Sequence, residues 1–249
     1  MMDYSLLSII VILISVLFTG AAKGGIVGAS SAIVPILAIC MGGKESVGFL
    51  LPISFFASLI SAIKYRQDPD WKALLRVLPW AFVGILIAVY IGDHADNEEF
   101  FILLAVVILL GCAFIIIQHY TKRSSFTASH HFWVIFFGLL SGLAAMIGNA
   151  TGPLISTLFI LQRFPKKQFV STYVWFCFLT DLIKIPFHVY IWHSITSQSL
   201  LLGLYTSPFM VAGAFLGFWL VKKLPDKIYK NIIITLSSLS AIILLLYQL

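Results

Sequence analysis

The sequence predicts an all-α polytopic membrane protein of about ten membrane segments in two inverted five-segment repeats, with broken or short helices near the midplane. Three observations carry that expectation. Of 249 residues, 60% are hydrophobic and only 10% are charged, where a soluble domain has about 25% charged residues. Several apolar runs exceed the ~18 residues that mark a membrane-spanning helix. The second half also echoes the small-residue pattern of the first. Gly20-x3-Gly24 followed by Pro35 matches Gly138-x3-Gly142 followed by Pro153, each pair 118 positions apart.

In chain order the segments are about 4–22, 24–41, 45–65, 72–92, 98–118, 131–147, 149–162, 168–192, 198–221 and 229–248. Gly24-Gly25 ends the first. Segment 24–41 holds Gly24, Gly25, Gly28, Ser30, Ser31 and Pro35, so it reads as an interrupted helix. Gly42-Gly43 precedes 45–65, and Asp68-Pro69-Asp70 follows it. Segment 72–92 gives way to the acidic stretch Asp93 to Glu99, and 98–118 closes a first repeat, 1–118. A linker, 119–130, leads to the second repeat, 131–249. Gly148-Asn149 separates 131–147 from 149–162, which at about 14 residues is short for a span. The loop His193 to Gln198 parts 168–192 from 198–221, and Pro225-Asp226 precedes 229–248.

Loop charges assign the sides. If the segments alternate, one side collects Lys23, Lys64, Arg66, Lys72, Arg76, Lys122, Arg123, Arg163, Lys166, Lys167, Lys222, Lys223, Lys227 and Lys230. Only Lys44 and Lys184 of the 16 basic residues fall elsewhere, and the opposite side holds Asp93, Asp96, Glu98 and Glu99. The positive-inside rule makes the basic side cytoplasmic and puts both termini outside a cell (inner) membrane. Lys64 aligns with Lys184 at a spacing of 120, and Pro79 and Gly84 align with Pro208 and Gly213 at 129. Five segments per half is an odd number, so the second copy enters upside down. The loops agree, because the basic 64–76 loop corresponds to the uncharged 193–198 loop and the acidic 93–99 loop to the basic 222–230 loop. Such duplication is the mark of a secondary transporter with a midplane site formed by broken helices.

The net charge of +6 sits in short loops between spans and does not imply nucleic acid. Cys40, Cys112 and Cys177 each lie inside an apolar run and read as free core thiols. Met1-Met2-Asp3-Tyr4 has no basic n-region and no small-residue cleavage site, so a removed signal peptide is not expected.

On the stretches FTGAAKGGIVGASSAIVP (18–35), FFGLLSGLAAMIGNATGPL (136–154) and DLIKIP (181–186), the chain resembles the sulfite exporter TauE/SafE family, also called toluene sulfonate uptake permeases. The resemblance covers nearly the whole chain. It implies a carrier for small sulfur-containing anions such as sulfite or organosulfonates of the taurine and sulfoacetate kind. Here Asn149 and Thr151 interrupt the second glycine-rich run, and Ala29, Ser30 and Ser31 replace part of the first.

Chemistry within the spans concentrates in two places. Asp181, Lys184 and His188, spaced i, i+3, i+7, share one helical face. Asp181 lies about 13 residues into its segment, roughly 20 Å at 1.5 Å per residue, past the middle of a ~30 Å hydrocarbon layer. A charge there costs ~2.5–3.5 kcal/mol even on the lenient insertion scale. Two roles are open to the trio: a structural ion pair facing the bundle interior, or a substrate or proton site. Intramembrane charge favours the second. Pro186 adds to it by removing a helix hydrogen bond beside Lys184. His188 could titrate near physiological pH and carry a proton, or bond water near the outer interface.

The other place joins GNATGPL (148–154) to KGGIVGASS (23–31). Glycines let the chain unwind, and a following helix N-terminus offers N–H groups to an anion. Asn149 or Thr151 could cap the helix that starts at Pro153, and Ser30 and Ser31 could donate hydroxyls. The glycines themselves fit close helix packing better. Lys23 is either a snorkelling lysine or an anion ligand, and Lys64 fits snorkelling better. The substrate-binding set is thus Lys184, Asn149, Thr151, Ser30, Ser31 and Lys23, with Asp181 and His188 as proton-coupling residues or a structural pair.

No Cys/His cluster has metal-ligand spacing, so neither metal nor cofactor is expected. Without a Walker A motif or a nucleophile–base arrangement, the sequence points away from ATP-driven transport and from an enzyme. The expected function is alternating-access secondary transport of a small anion, with lipid bilayer and protons as further partners. An anion channel with the same site and a non-transporting accessory subunit are the alternatives.

Overall fold

The computed structural model describes residues 6–30, 34–94 and 131–226, with positions 99, 102, 106, 228, 229, 231, 232 and 235. Most of the expected segment 98–118, the linker 119–130, Ser31 and most of segment 229–248 lie outside the described residues. Within them the chain is helical: α1 (Leu6–Lys23), α2 (Val34–Met41), α3 (Gly43–Lys64), α4 (Trp71–His94), α5 (His131–Gly148), α6 (Gly152–Leu161), α7 (Lys166–Tyr190) and α8 (Ser197–Lys223). No strand occurs among the described residues. Helices α3, α4, α5, α7 and α8 are long and apolar enough to cross a membrane.

Local chemistry ends each helix. At the end of α1, Gly25 adopts φ 110°, its N–H meets the Ala22 carbonyl, and Ile26 N–H reaches back to Ala21 at 3.0 Å. This is a Schellman turn at a residue without a Cβ penalty. The chain then runs irregularly to Ser30 before the eight-residue α2. Asp70 caps α4 by accepting from Ala73 N–H at 2.9 Å. Thr196 and Ser199 form a reciprocal capping box on α8. Both helices expected to be broken or short are so: α2 follows an irregular break, and α6 has ten residues.

Two helix pairs are packed most closely, α1 with α8 and α4 with α5, and glycines set both. A Cβ on Gly20 or Gly24 would strike the carbonyls of Met210 and Ala214, and one on Gly213 the carbonyl of Leu17. In the other pair, a Cβ on Gly142 would strike the Ala81 carbonyl and one on Gly84 the Leu139 carbonyl. Backbones therefore meet directly, as small residues permit where no water drives helices together. The glycines of the repeated pattern are packing residues.

Each pair has its own apolar core. Ile12, Val16, Phe49, Ile53 and Met210 fill the first, and Ile85, Ala88, Met146 and Ile147 the second. Helices α3 and α7 run between them and pack on each other. Rows of large apolar side chains point outward, including Leu75, Phe82 and Leu86 on α4 and Leu204, Phe209 and Leu216 on α8. Such rows suit hydrocarbon, where the helical backbone bonds are already satisfied.

Candidate functional site

The site is assembled by three crossings at the centre of the bundle. The two interruptions touch: a Cβ on Gly152, at the start of α6, would sit 2.8 Å from Gly28 N in the break after α1. Helix α7 passes beside both and contributes Asp181 and Lys184, and α3 supplies serines from the other side. Asp181, Lys184 and His188 are each 0% exposed, and Lys23 is 5% exposed.

Asp181 is the hub. Its Oδ2 accepts from Lys23 Nζ at 2.6 Å and from Ser58 Oγ at 2.8 Å. Lys184 Nζ stands 3.0 Å from Oδ1, an ion pair without hydrogen-bond alignment. The Lys184 ammonium instead donates to the Ala145 carbonyl at 3.1 Å and to Asn149 Oδ1 at 3.0 Å. Asn149 adopts a left-handed φ of 50° and turns the chain out of α5, with Ala150 N–H bonded to Ala144. Asparagine tolerates that conformation better than most residues. Its Nδ2 donates to Ser54 Oγ at 3.3 Å. Two lysine amino groups thus share one carboxylate, and with all three groups ionised the buried centre carries one positive charge in excess.

The structure bears on four expectations. Lys23 does not snorkel: it is buried at the end of α1 and holds Asp181. The expected Asp181–Lys184 ion pair is present as one side of a three-residue cluster, in which the lysine hydrogen-bonded to Asp181 is Lys23. Neither Asn149 nor Thr151 caps α6. Thr151 occupies the cap position in helical geometry with no side-chain cap bond, and its hydroxyl lies 3.8 Å from Cys177 Sγ. His188 does not reach the interface water. Its Nδ1 is hydrogen-bonded to Ser194 Oγ at 2.7 Å, its ring meets the Trp192 ring edge-on, and its Nε2 has no hydrogen-bond partner among the described residues.

Lys23, Asn149, Asp181 and Lys184 therefore come together, and Thr151 joins them through Cys177, one turn before Asp181 on α7. Ser30 is buried in the first break, and no hydrogen bond links it to this group among the described residues. Ser31 lies outside the described residues. His188 sits a turn beyond Lys184, facing the loop that follows α7. Lys64 is exposed at the end of α3, as a snorkelling lysine would be.

Three residues were missed from sequence: Ser54, Ser58 and Ser61 on α3, all buried. Their i, i+4, i+7 spacing inside an apolar span puts three hydroxyls on one helical face, which was a legible signal. Ser61 Oγ has no hydrogen-bond partner among the described residues.

Both ends of the site are closed by named contacts. Beyond His188, the loop after α7 folds back into the bundle. A Cβ on Gly48 would strike the Ser194 carbonyl, one on Gly92 the Trp192 ring, and Trp192 Nε1 donates to the Val89 carbonyl at 3.3 Å. At the other end the Gly24-Gly25 turn covers Lys23. Tyr229 donates to the Gly25 carbonyl at 2.6 Å, and Tyr65 donates to the Gly24 carbonyl at 3.4 Å.

No curated protein and no solved structure matches the chain. A family model, described as sulfite exporter TauE/SafE, matches residues 12–244. With that match over nearly its whole length, a helical membrane architecture and two broken helices meeting at a buried charged centre, the chain belongs to the sulfite exporter TauE/SafE family of membrane transporters.

Proposed function

We propose that the chain is a secondary carrier of a small anion, a sulfur oxyanion or organosulfonate, working by alternating access. One observation carries the reading: Lys23 and Lys184 share the single carboxylate of Asp181 at almost no exposure. An uncompensated buried charge is costly, and a bound anion is the simplest way to complete the centre. Donors suited to an oxyanion surround it. They are the two ammonium groups, the Ser58 hydroxyl, the Asn149 amide and the uncapped N-terminus of α6, which carries about half a positive charge.

Asp181 acts as a resident competitor, holding both lysines until the substrate displaces it. Charge balance then links substrate to protons. With Asp181 ionised, the two lysines leave one positive charge, which a monoanion neutralises. With Asp181 protonated, two remain, which suits a dianion. His188, a turn beyond Lys184, extends the polar path toward the loop at the far end, so proton coupling passes through Asp181 and His188.

Alternating access needs two gates. The Gly24-Gly25 turn serves one end, and the Trp192–Ser194 loop the other. The halves 1–118 and 131–249, joined by 119–130, act as two inverted five-segment repeats that rock about the site. Their support is the exchanged pairing: α1 crosses α8 and α5 crosses α4, with Gly84 and Gly213 at corresponding positions of the two crossings. The lysine-rich ends face the cytoplasm from an inner membrane, with both termini outside.

The test is a thermal-shift screen of purified protein against sulfite, thiosulfate, taurine, sulfoacetate, sulfate and neutral analogues. Ligands that bind the folded state raise Tm in proportion to ln(1 + [L]/Kd). Stabilisation by sulfur oxyanions or sulfonates and not by neutral analogues is expected. A flat response to every anion overturns the reading.

A further inference from the structure

A second cluster of cations lies outside the buried centre. An open pocket of about 490 Å³ sits at the lysine-rich end, where α3 finishes, α7 begins and α8 finishes. Lys64, Lys166, Lys167 and Lys222 line it, with Asp226 as the acid in the lining. Two of the lysines are committed elsewhere. Lys166 donates to the Leu224 carbonyl and stands over the Tyr229 ring, and Lys167 pairs with Asp68 at 2.8 Å. Lys64 and Lys222 have no hydrogen bond or ion pair among the described residues.

The remaining wall is apolar, formed by Val170, Phe218 and Val221. Low-dielectric walls focus the field of such charges instead of letting water screen it. The first break packs against three of the residues that line the pocket. A Cβ on Gly25 would meet Val170 Cγ1 at 2.9 Å and Val221 Cγ2 at 3.1 Å, and Tyr65, another lining residue, lies 3.8 Å from the same point. Gly24 and Gly25 directly follow Lys23, whose ammonium holds Asp181. The turn that packs behind the pocket wall thus begins at the lysine of the buried centre.

We propose that this pocket is a vestibular oxyanion site, with Lys64 and Lys222 as its free charges, feeding the buried centre across the Gly24-Gly25 turn. It rests on the transport reading for its destination but not for its charge. Lys64 thereby has a role beyond snorkelling. Its ligand is an oxyanion group, either a soluble anion or the phosphate of an anionic lipid headgroup.

The experiment has two arms. In the first, sulfite uptake is measured for wild type and Lys64→Gln/Lys222→Gln in vesicles of phosphatidylcholine alone and of phosphatidylcholine with phosphatidylglycerol. A rise of about tenfold in KM at low salt, with kcat unchanged and the difference shrinking as salt rises, is expected. The rise in phosphatidylcholine alone assigns a soluble anion, and a rise confined to phosphatidylglycerol vesicles assigns the headgroup. An unchanged KM in both overturns the site.

The second arm needs no transport. Lys222→Cys is modified by an anionic and by a cationic methanethiosulfonate, with Lys64 present or as Lys64→Gln. The anionic reagent reacts faster, and its advantage falls several-fold in Lys64→Gln. An equal ratio in both backgrounds overturns the vestibule. A wild type that moves no sulfite but keeps this ratio overturns only the transport reading.

Discussion

Replacing Asp181 by asparagine separates the competitor role from a purely structural one. In the folded protein this carboxylate engages Lys23 at 2.6 Å, Ser58 at 2.8 Å and Lys184 at 3.0 Å. Asp181→Asn keeps the shape but leaves two buried ammonium groups without an anion. Breaking a buried pair costs about 3–5 kcal/mol, so the anion-free variant melts well below wild type. The same change removes the group that a substrate must displace. That displacement is worth at least one charge-assisted hydrogen bond, about 1.5–3 kcal/mol, so sulfite should bind about ten- to a hundredfold more tightly. The assay is thermal shift against a sulfite titration, with wild type, Asp181→Asn and Asp181→Asn/Lys184→Met side by side. Expected are a low anion-free Tm for Asp181→Asn, a sulfite-induced rise larger than that of wild type, and loss of most of that rise in the double variant. If the double variant binds sulfite as tightly as the single one, Lys184 is only a structural partner of Asp181, and the site lies with Asn149, Thr151 and Lys23.

Three other outcomes are expected. Cysteine placed at Glu98 should react with an impermeant thiol reagent from outside and cysteine at Lys167 should not; equal outside labelling overturns the orientation. The Asp181→Asn/His188→Gln variant should still exchange substrate but lose accumulation driven by a pH gradient, and unchanged accumulation removes protons at these residues from the mechanism. Gly84→Val and Gly213→Val should each lower stability by about 1–3 kcal/mol through overpacking, read as Tm, because each Cβ lands on a facing carbonyl; a neutral change at either denies the close crossing.

Legibility followed range along the chain. The face shared by Asp181, Lys184 and His188 was readable because helical periodicity is local and strong. Gly25, Gly28 and the short 149–162 segment announced the two breaks, since glycine and insufficient length act on the backbone where they stand. The Lys23–Asp181 bond was not readable. It joins residues 158 apart, and no local pattern says which helix end meets which face. His188 was misplaced for a similar reason. Its partner, Ser194, reaches it only because His193 takes a left-handed φ of 48° and folds the loop inward, while the sequence offered only a polar loop. Ser54, Ser58 and Ser61 were readable and were overlooked. Hydroxyls inside an apolar span commonly bond their own helix backbone, as Ser46 does with Gly43, which hides those that do not.

We propose that the buried lysine pair carries an anion across a membrane by alternating access. Counterflow tests it most directly: vesicles containing purified protein are loaded with unlabelled sulfite, diluted into a trace of labelled sulfite, and followed in time. A transient, saturable overshoot of label in wild type that Lys184→Met abolishes is expected. A linear, non-saturating flux without overshoot would make the protein a channel, and no flux above protein-free vesicles would contradict the account outright.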